Sequence, residues 1–318
     1  MIDFLRLIRY KNLLIIAATQ YLMRWCIIYP IITINGFELQ FSELNFLFLV
    51  LSTISLTAAG YIINDYFDRK TDVVNRPDTV VVGTKIHRRL AMIFHVLFNV
   101  AGIGLGFYIS YIIGLWELGF IFFLITGILW YYSTTYKRQF LIGNIVVSLL
   151  TAMVPFMVAL FEVPLLNRVY REELIAYSID FNNVLGWVGG FAFFAFLATL
   201  IREILKDIED YEGDQAYGRN TMPIIIGILS TKIVVISLII ITIACLLCAH
   251  IIYVNDIITL IYFIVALILP FFFLAYRIIK AGNKKDYSFT SNLSKIIMLA
   301  GLCYAVVAYY NITAFFSE

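Results

Sequence analysis

Asn64-Asp65-Tyr66-Phe67-Asp68-Arg69-Lys70-Thr71-Asp72 closes one long apolar segment, and Asp207-Ile208-Glu209-Asp210-Tyr211-Glu212-Gly213-Asp214 closes another. In both stretches aspartates fall at i, i+3 and i+7. At about 100° per helical residue these positions lie within roughly a 60° arc, so the spacing predicts that each trio shares one helix face. Like charges crowded at a membrane boundary are costly unless something neutralises them. A divalent cation is the simplest partner, and oxygen-only ligands point to Mg2+ rather than zinc.

The rest of the chain sets the fold class. Of 318 residues, 62% are hydrophobic and only 14% charged, with a mean hydropathy of +0.91. Soluble domains are about 45–50% apolar and about 25% charged, so the composition is that of an integral membrane protein. The apolar stretches match the ~20 residues that a spanning helix needs and are too long for barrel strands of ~9–11 residues. The pattern predicts an all-α single transmembrane domain over residues 1–318. Its nine helices are expected near 13–34, 45–66, 90–112, 117–136, 140–161, 186–206, 232–253, 257–277 and 295–316. The first eleven residues are mixed and lead into a spanning run, so no cleaved leader is expected.

Basic residues orient these spans. With the N-terminus in the cytoplasm, 20 of the 23 Lys and Arg fall on the inner side, and only Arg168 and Arg171 fall in outer loops. That asymmetry follows the positive-inside rule and puts both aspartate trios on the cytoplasmic side of a cell membrane. Arg24 is the exception, deep in the first helix, where a substrate role and snorkelling to the outer headgroups both remain open. The four cysteines lie in apolar segments and read as packing residues, Cys245-Leu-Leu-Cys248 included. His87, His95 and His250 have no partner at metal-ligand spacing. The trio spacing recurs 142 positions later, which suggests two related halves.

Six aspartates on two helices could hold two Mg2+ ions, bridged by the oxygens of a prenyl diphosphate. The remaining negative charge calls for cations. Arg69 and Arg76 follow the first trio, Arg202 and Lys206 precede the second, and Lys137-Arg138 end another helix on the same side. Such a collection suits a diphosphate leaving group. The 21 Tyr and 27 Phe are enough to line a cavity sheltering an allylic cation, although aromatics are expected throughout membrane helices.

These residues resemble a known family. Asn64-Asp65-x-x-Asp68-x-x-x-Asp72 with Asn75-Arg76-Pro77 is similar to the first motif of the UbiA superfamily of intramembrane prenyltransferases. Asp210-x-x-x-Asp214 after Lys206-Asp207 is similar to its second. Arg9-Tyr10-Lys11-Asn12 resembles the family's N-terminal entry, and Tyr132-Ser133 with Lys137 its fourth-helix ending. The resemblance implies a nine-helix bundle with a central cavity. It also implies that Asp65, Asp68, Asp72, Asp207, Asp210 and Asp214 hold Mg2+ and the diphosphate, with Asn64 ligating or hydrogen bonding. Lys137, Lys206 and Arg69 would then contact the phosphates, and Asn12 and Tyr132 would lie near the site.

The run from Arg202 to Asp214, with Thr221-Met222-Pro223 after it, is similar to the digeranylgeranylglyceryl phosphate synthase branch. Members of that branch alkylate a glycerol hydroxyl of geranylgeranylglyceryl phosphate. One departure stands out: the family commonly continues Asn-Arg-Pro-x-Arg-Pro, whereas here Arg76-Pro77-Asp78 runs into Thr79-Val80-Val81-Val82-Gly83. The expected partners are the bilayer, a prenyl diphosphate and a membrane-soluble acceptor, with no nucleic acid and no obligatory protein partner. An aromatic acceptor of a quinone pathway is the alternative within this chemistry. Intramembrane acids also mark transporters, but these acids sit at helix ends and no broken-helix pair is evident. A CDP-alcohol phosphotransferase would show an early Asp-Gly pair leading to Ala-Arg, which is absent.

Overall fold

Apolar segments of this length fold as helices because only intrahelical bonding satisfies the backbone where water is absent. The computed structural model describes residues 2–177 and 180–315. Among the described residues, nine helices are long and apolar enough to cross a membrane. In chain order they are α1 Tyr10–Ile34, α2 Glu43–Asn75, α3 Arg88–Ile112, α4 Trp116–Arg138, α5 Ile142–Val169, α6 Asn182–Glu209, α7 Ile228–Val254, α8 Ile257–Lys280 and α9 Lys284–Ala314. Each span expected from hydropathy is present with shifted ends. The expected end of the ninth helix at position 316 lies outside the described residues.

Two shifts bear on the acids. The expected second helix ends at 66, but α2 runs on to Asn75 and carries Asp65, Asp68 and Asp72 on one continuous helix. It starts where the Ser42 side chain accepts from the Asn45 N–H at 3.3 Å and stops just before Pro77, whose ring disfavours helix at the preceding residue. The second trio departs from expectation. α6 ends at Glu209, Asp210 sits at φ −91°, ψ 7°, and a short helix Tyr211–Ala216 follows. The Asp210 N–H still donates to the Lys206 carbonyl and the Asp214 N–H to the Asp210 carbonyl, so the chain keeps its turn but kinks. Asp207, Asp210 and Asp214 therefore do not share one straight helix face.

The chain groups into two compact units, interleaved along the sequence. The first comprises Met1–Tyr21, Leu39–Lys137 and Met157–Phe181, and contains the first trio. Its backbones approach closely through small residues, as membrane helices do. Ser52 Oγ donates to the Gly102 carbonyl at 2.6 Å, and a Cβ on Gly102 would meet Leu56 Cδ2 at 2.6 Å. In the same unit, Leu7, Ile8, Leu13, Ala58, Ile62, Val81, Val82 and Ala91 form one buried cluster. Thr79-Val80 stands where the second Arg-Pro would fall; Thr79 is exposed, while Val80, Val81 and Val82 are buried. The stretch closes in a tight turn in which the Gly83 N–H donates to the Ile86 carbonyl at 2.7 Å.

The second unit comprises Leu22–Glu38, Arg138–Phe156 and Asn182–Glu318, and contains the second trio. Here α6 packs on α7 and α9. Thr259 Oγ1 and Tyr304 Oη lie 3.1 Å apart, and Asn311 Nδ2 donates to Thr259 Oγ1 at 2.8 Å. Arg24 belongs to this unit. It sits in a π-helical turn, Met23–Ile28, and is 1% exposed, with its guanidinium 5.9 Å from the Trp25 ring centre. Its side chain is buried in protein instead of extending outward, which disagrees with the snorkelling expectation.

The α2–α3 approach leaves no room for a side chain at 102. Gly102→Val is expected to cost about 1–3 kcal/mol, read as a lowered thermal midpoint of the purified protein in detergent. An unchanged midpoint would contradict the close packing.

Candidate active site

The first unit assembles its half of the candidate site on the C-terminal third of α2. Asn64 and Asp68 are buried, and Asp65 and Asp72 are half-buried. Lys137, at the end of α4, reaches back so that its Nζ donates to Asn64 Oδ1 at 3.1 Å and to Asp68 Oδ2. Arg9 Nη2 donates to Asp65 Oδ1 at 2.7 Å, and the Arg9 guanidinium lies 4.8 Å over the Tyr61 ring. Arg9 adopts φ 50°, a left-handed conformation that a non-glycine residue holds only when its surroundings enforce it. The Asp65 charge, opposed by burial and aided by Tyr61, holds the Arg9 guanidinium more firmly protonated than an ordinary arginine. Asn12 Nδ2 donates to Tyr61 Oη at 3.4 Å, which places Asn12 beside this pair as expected.

Arg69 turns toward the loop. A Cβ on Gly83, itself at φ 79°, would meet Arg69 Nε at 2.8 Å, so glycine is needed for both its backbone angle and its clearance. Arg69 Nε is buried with no hydrogen-bond acceptor. On the same side of α2, the Arg88 guanidinium lies 4.4 Å over the Tyr66 ring. Arg76 follows the last residue of α2, and its backbone N–H donates to the Asp72 carbonyl at 2.7 Å. Tyr132 is half-buried on α4.

The second unit arranges its acids differently. Asn144 Nδ2, in the first turn of α5, donates to Asp207 Oδ2 at 2.8 Å. Arg219 Nη1 lies 3.3 Å from Asp214 Oδ1, and both residues are more than nine-tenths buried. The chain reaches this geometry through Gly218 at φ 64°, after which the Arg219 N–H donates to the Asp214 carbonyl at 3.0 Å. Removing one partner of such a pair leaves an uncompensated buried charge, worth about 3–5 kcal/mol. Arg202 Nη1 donates to its neighbour Glu203 at 2.6 Å, while Arg202 Nε is buried with no acceptor. Lys206 and Asp210 are half-buried.

The structure thus brings Asn64, Asp65, Asp68, Lys137 and Asn12 into one connected arrangement. Within the first unit it adds Arg9 and Tyr61, and within the second unit Asn144 and Arg219 bond to Asp207 and Asp214; sequence reasoning had assigned none of the four. Arg9 had a signal, since it opens the N-terminal motif. Arg219 had a weak one, as a cation just beyond a glycine. Asn144 had none, because its partner lies 63 positions away. Among the described residues, no three His, Cys, Asp or Glu side chains converge into a ready-made metal cage. The oxygen-only donor set fits Mg2+, which usually takes one or two carboxylates and completes its shell with substrate phosphate.

Comparison with known proteins identifies the family. The model of the UbiA prenyltransferase family matches residues 34–314. A digeranylgeranylglyceryl phosphate synthase of Methanosphaera stadtmanae is 33% identical over 76% of this chain and 80% of its own length. The protein of that name from Methanobrevibacter smithii is 34% identical over 84% of this chain and 86% of its own. Among solved structures, one of digeranylgeranylglyceryl phosphate synthase superposes with a TM-score of 0.65 at 24% identity, covering 96% of this chain and 97% of the other. A UbiA homologue from Archaeoglobus fulgidus bound to GPP and Mg2+ superposes with a TM-score of 0.55 at 16% identity, over 96% and 99%. The acidic clusters, the nine helices and a family match spanning most of the sequence lead to one conclusion: this chain belongs to the UbiA prenyltransferase family.

Proposed function

We propose that this protein transfers a geranylgeranyl group from its diphosphate to the glycerol hydroxyl of geranylgeranylglyceryl phosphate, forming an ether lipid. The allylic C–O bond to the diphosphate breaks, the glycerol oxygen forms the new C–O bond, its proton is released and pyrophosphate leaves. The observation that carries anion binding is the pair of buried guanidinium Nε–H groups without acceptors, Arg69 near one acidic cluster and Arg202 near the other. Buried donors are normally satisfied, so an orphan in each cluster's neighbourhood points to a missing anionic partner. The acceptor assignment rests on the curated relatives, whose shared name is that of the glycerol-alkylating enzyme.

In this reading Asp65, Asp68, Asp72, Asp207, Asp210 and Asp214 hold the metal-diphosphate, with Asn64 among the ligands. Mg2+, when bound, neutralises the phosphate oxygens and stabilises the departing pyrophosphate. Arg69, Arg202 and Lys206 supply donors to the phosphates, and Arg76 adds positive charge at the end of α2. Lys137 and Arg9 balance Asp68 and Asp65 and lie within reach of an arriving diphosphate. Phe67 and Trp130, with ring centres 5.8 Å apart next to Asp68, offer π faces to developing allylic charge. The positive-inside asymmetry supports a site that opens to the cytoplasm.

Purified enzyme given radiolabelled geranylgeranyl diphosphate, Mg2+ and either geranylgeranylglyceryl phosphate or a phenolic quinone precursor tests the proposal. Label is expected in the glycerol ether alone, lost with EDTA and restored by Mg2+. Asp68→Ala or Asp210→Ala is expected to lower turnover by at least about 100-fold, in line with lost electrostatic stabilisation, in protein that still elutes as a folded species in detergent. Labelling of the phenol alone would overturn the acceptor, and near-normal turnover in either variant would remove that residue from the site.

A further inference from the structure

Most carboxylates of the acidic clusters with a defined side-chain partner face a cation: Asp65 meets Arg9, Asp68 meets Lys137, and Asp214 meets Arg219. Asp207 differs, because the group bonded to it is the neutral amide of Asn144, whose Nδ2 donates to Oδ2 at 2.8 Å. Asn144 is 8% exposed, and its side chain bridges from α5 to α6.

The local backbone sets this amide deliberately. Leu141 takes φ 59°, a strained left-handed value for a leucine, and the Ile142 N–H closes onto the Phe140 carbonyl at 2.6 Å. α5 therefore starts abruptly, with Asn144 in its first turn. Asparagine in a first turn commonly bonds the local backbone, yet here its amide is spent on a residue 63 positions away. Ser148 Oγ donates to the Asn144 carbonyl at 2.6 Å and pins that turn from the other side.

We propose that Asn144 is a positioning residue for metal binding: its amide fixes the Asp207 carboxylate through Oδ2 and leaves Oδ1 to the metal. This rests on the reading of Asp207 as a metal ligand. A neutral donor suits the task better than a cation. It orients the carboxylate without cancelling the charge that attracts Mg2+ and without competing as a counter-ion. Losing a hydrogen-bonding partner of a metal-ligating carboxylate typically weakens metal affinity 10–100-fold.

The test is a double-mutant cycle on Mn2+ binding to the purified, substrate-free protein in detergent, read as loss of the free-ion EPR signal. The four proteins are the wild type, Asn144→Leu, Asp207→Asn and the double variant. Asn144→Leu, similar in size but lacking donors, is expected to weaken Mn2+ binding by about 10–100-fold. The double variant should bind no more weakly than Asp207→Asn, because the amide acts only through that carboxylate. Wild-type affinity in Asn144→Leu, or losses that multiply in the double variant, would overturn the proposal. Wild-type affinity in Asp207→Asn would instead overturn the ligand assignment. If Asn144→Leu does not yield folded protein, Asn144→Ala replaces it with the same expectations. The Ser148→Ala variant, which loosens the same turn without touching Asp207, should keep Mn2+ affinity within about twofold. A loss there equal to that of Asn144→Leu would show general damage to the turn and count against the proposal.

Discussion

Uncompensated negative charge at the ends of apolar helices is the constraint on which this structure depends. Carboxylates at a membrane boundary cost free energy unless each finds a donor or a cation. The protein answers with long-range partners. Arg9 reaches Asp65 from 56 positions away, Lys137 reaches Asp68 from 69, and Asn144 reaches Asp207 from 63. Each partner comes from the end or first turn of another helix or from the segment preceding α1, so charge balance also helps fix which helix ends lie together within each unit. In the proposed function the same cations, already gathered around carboxylates, also serve phosphate oxygens.

The loop after α2 builds its turn on apolar residues. Val80, Val81 and Val82 are buried, and Val81 and Val82 pack with Leu7, Ile8, Leu13 and Ala91. Gly83 then lies against the Arg69 guanidinium in a backbone conformation that other residues rarely adopt. Apolar burial, worth about 1.5–3 kcal/mol per fully buried valine-sized side chain, anchors this turn. The guanidinium of Arg69 is held beneath that turn.

The spanning helices were legible because bilayer thickness imposes a length that composition reveals directly. The first trio's shared face was legible too, because α2 continues unbroken to Asn75 and the i, i+3, i+7 rule applies to a regular helix. The same rule fails for the second trio at Asp210, where the chain kinks. The two motifs have identical aspartate spacing, so spacing alone could not signal the kink. Arg24 was visible as an anomaly, but whether it reaches outward or packs inward depends on neighbouring helices. Asn144 was invisible as a site residue and Arg219 only faintly visible for a related reason: their roles come from contacts made in the folded chain, and an asparagine in the first turn of an apolar helix looks like an ordinary helix start.

The central claim of the proposed function is that carboxylates of each acidic cluster contribute to binding a metal-bound prenyl diphosphate. Equilibrium binding of a non-ionising geranylgeranyl thiodiphosphate to purified wild type, Asp68→Ala and Asp207→Ala, each with and without Mg2+, tests it most directly. The account predicts binding by the wild type that requires Mg2+ and is weakened at least about tenfold by either substitution. Full-strength binding without the metal, or with either cluster disabled, would contradict it.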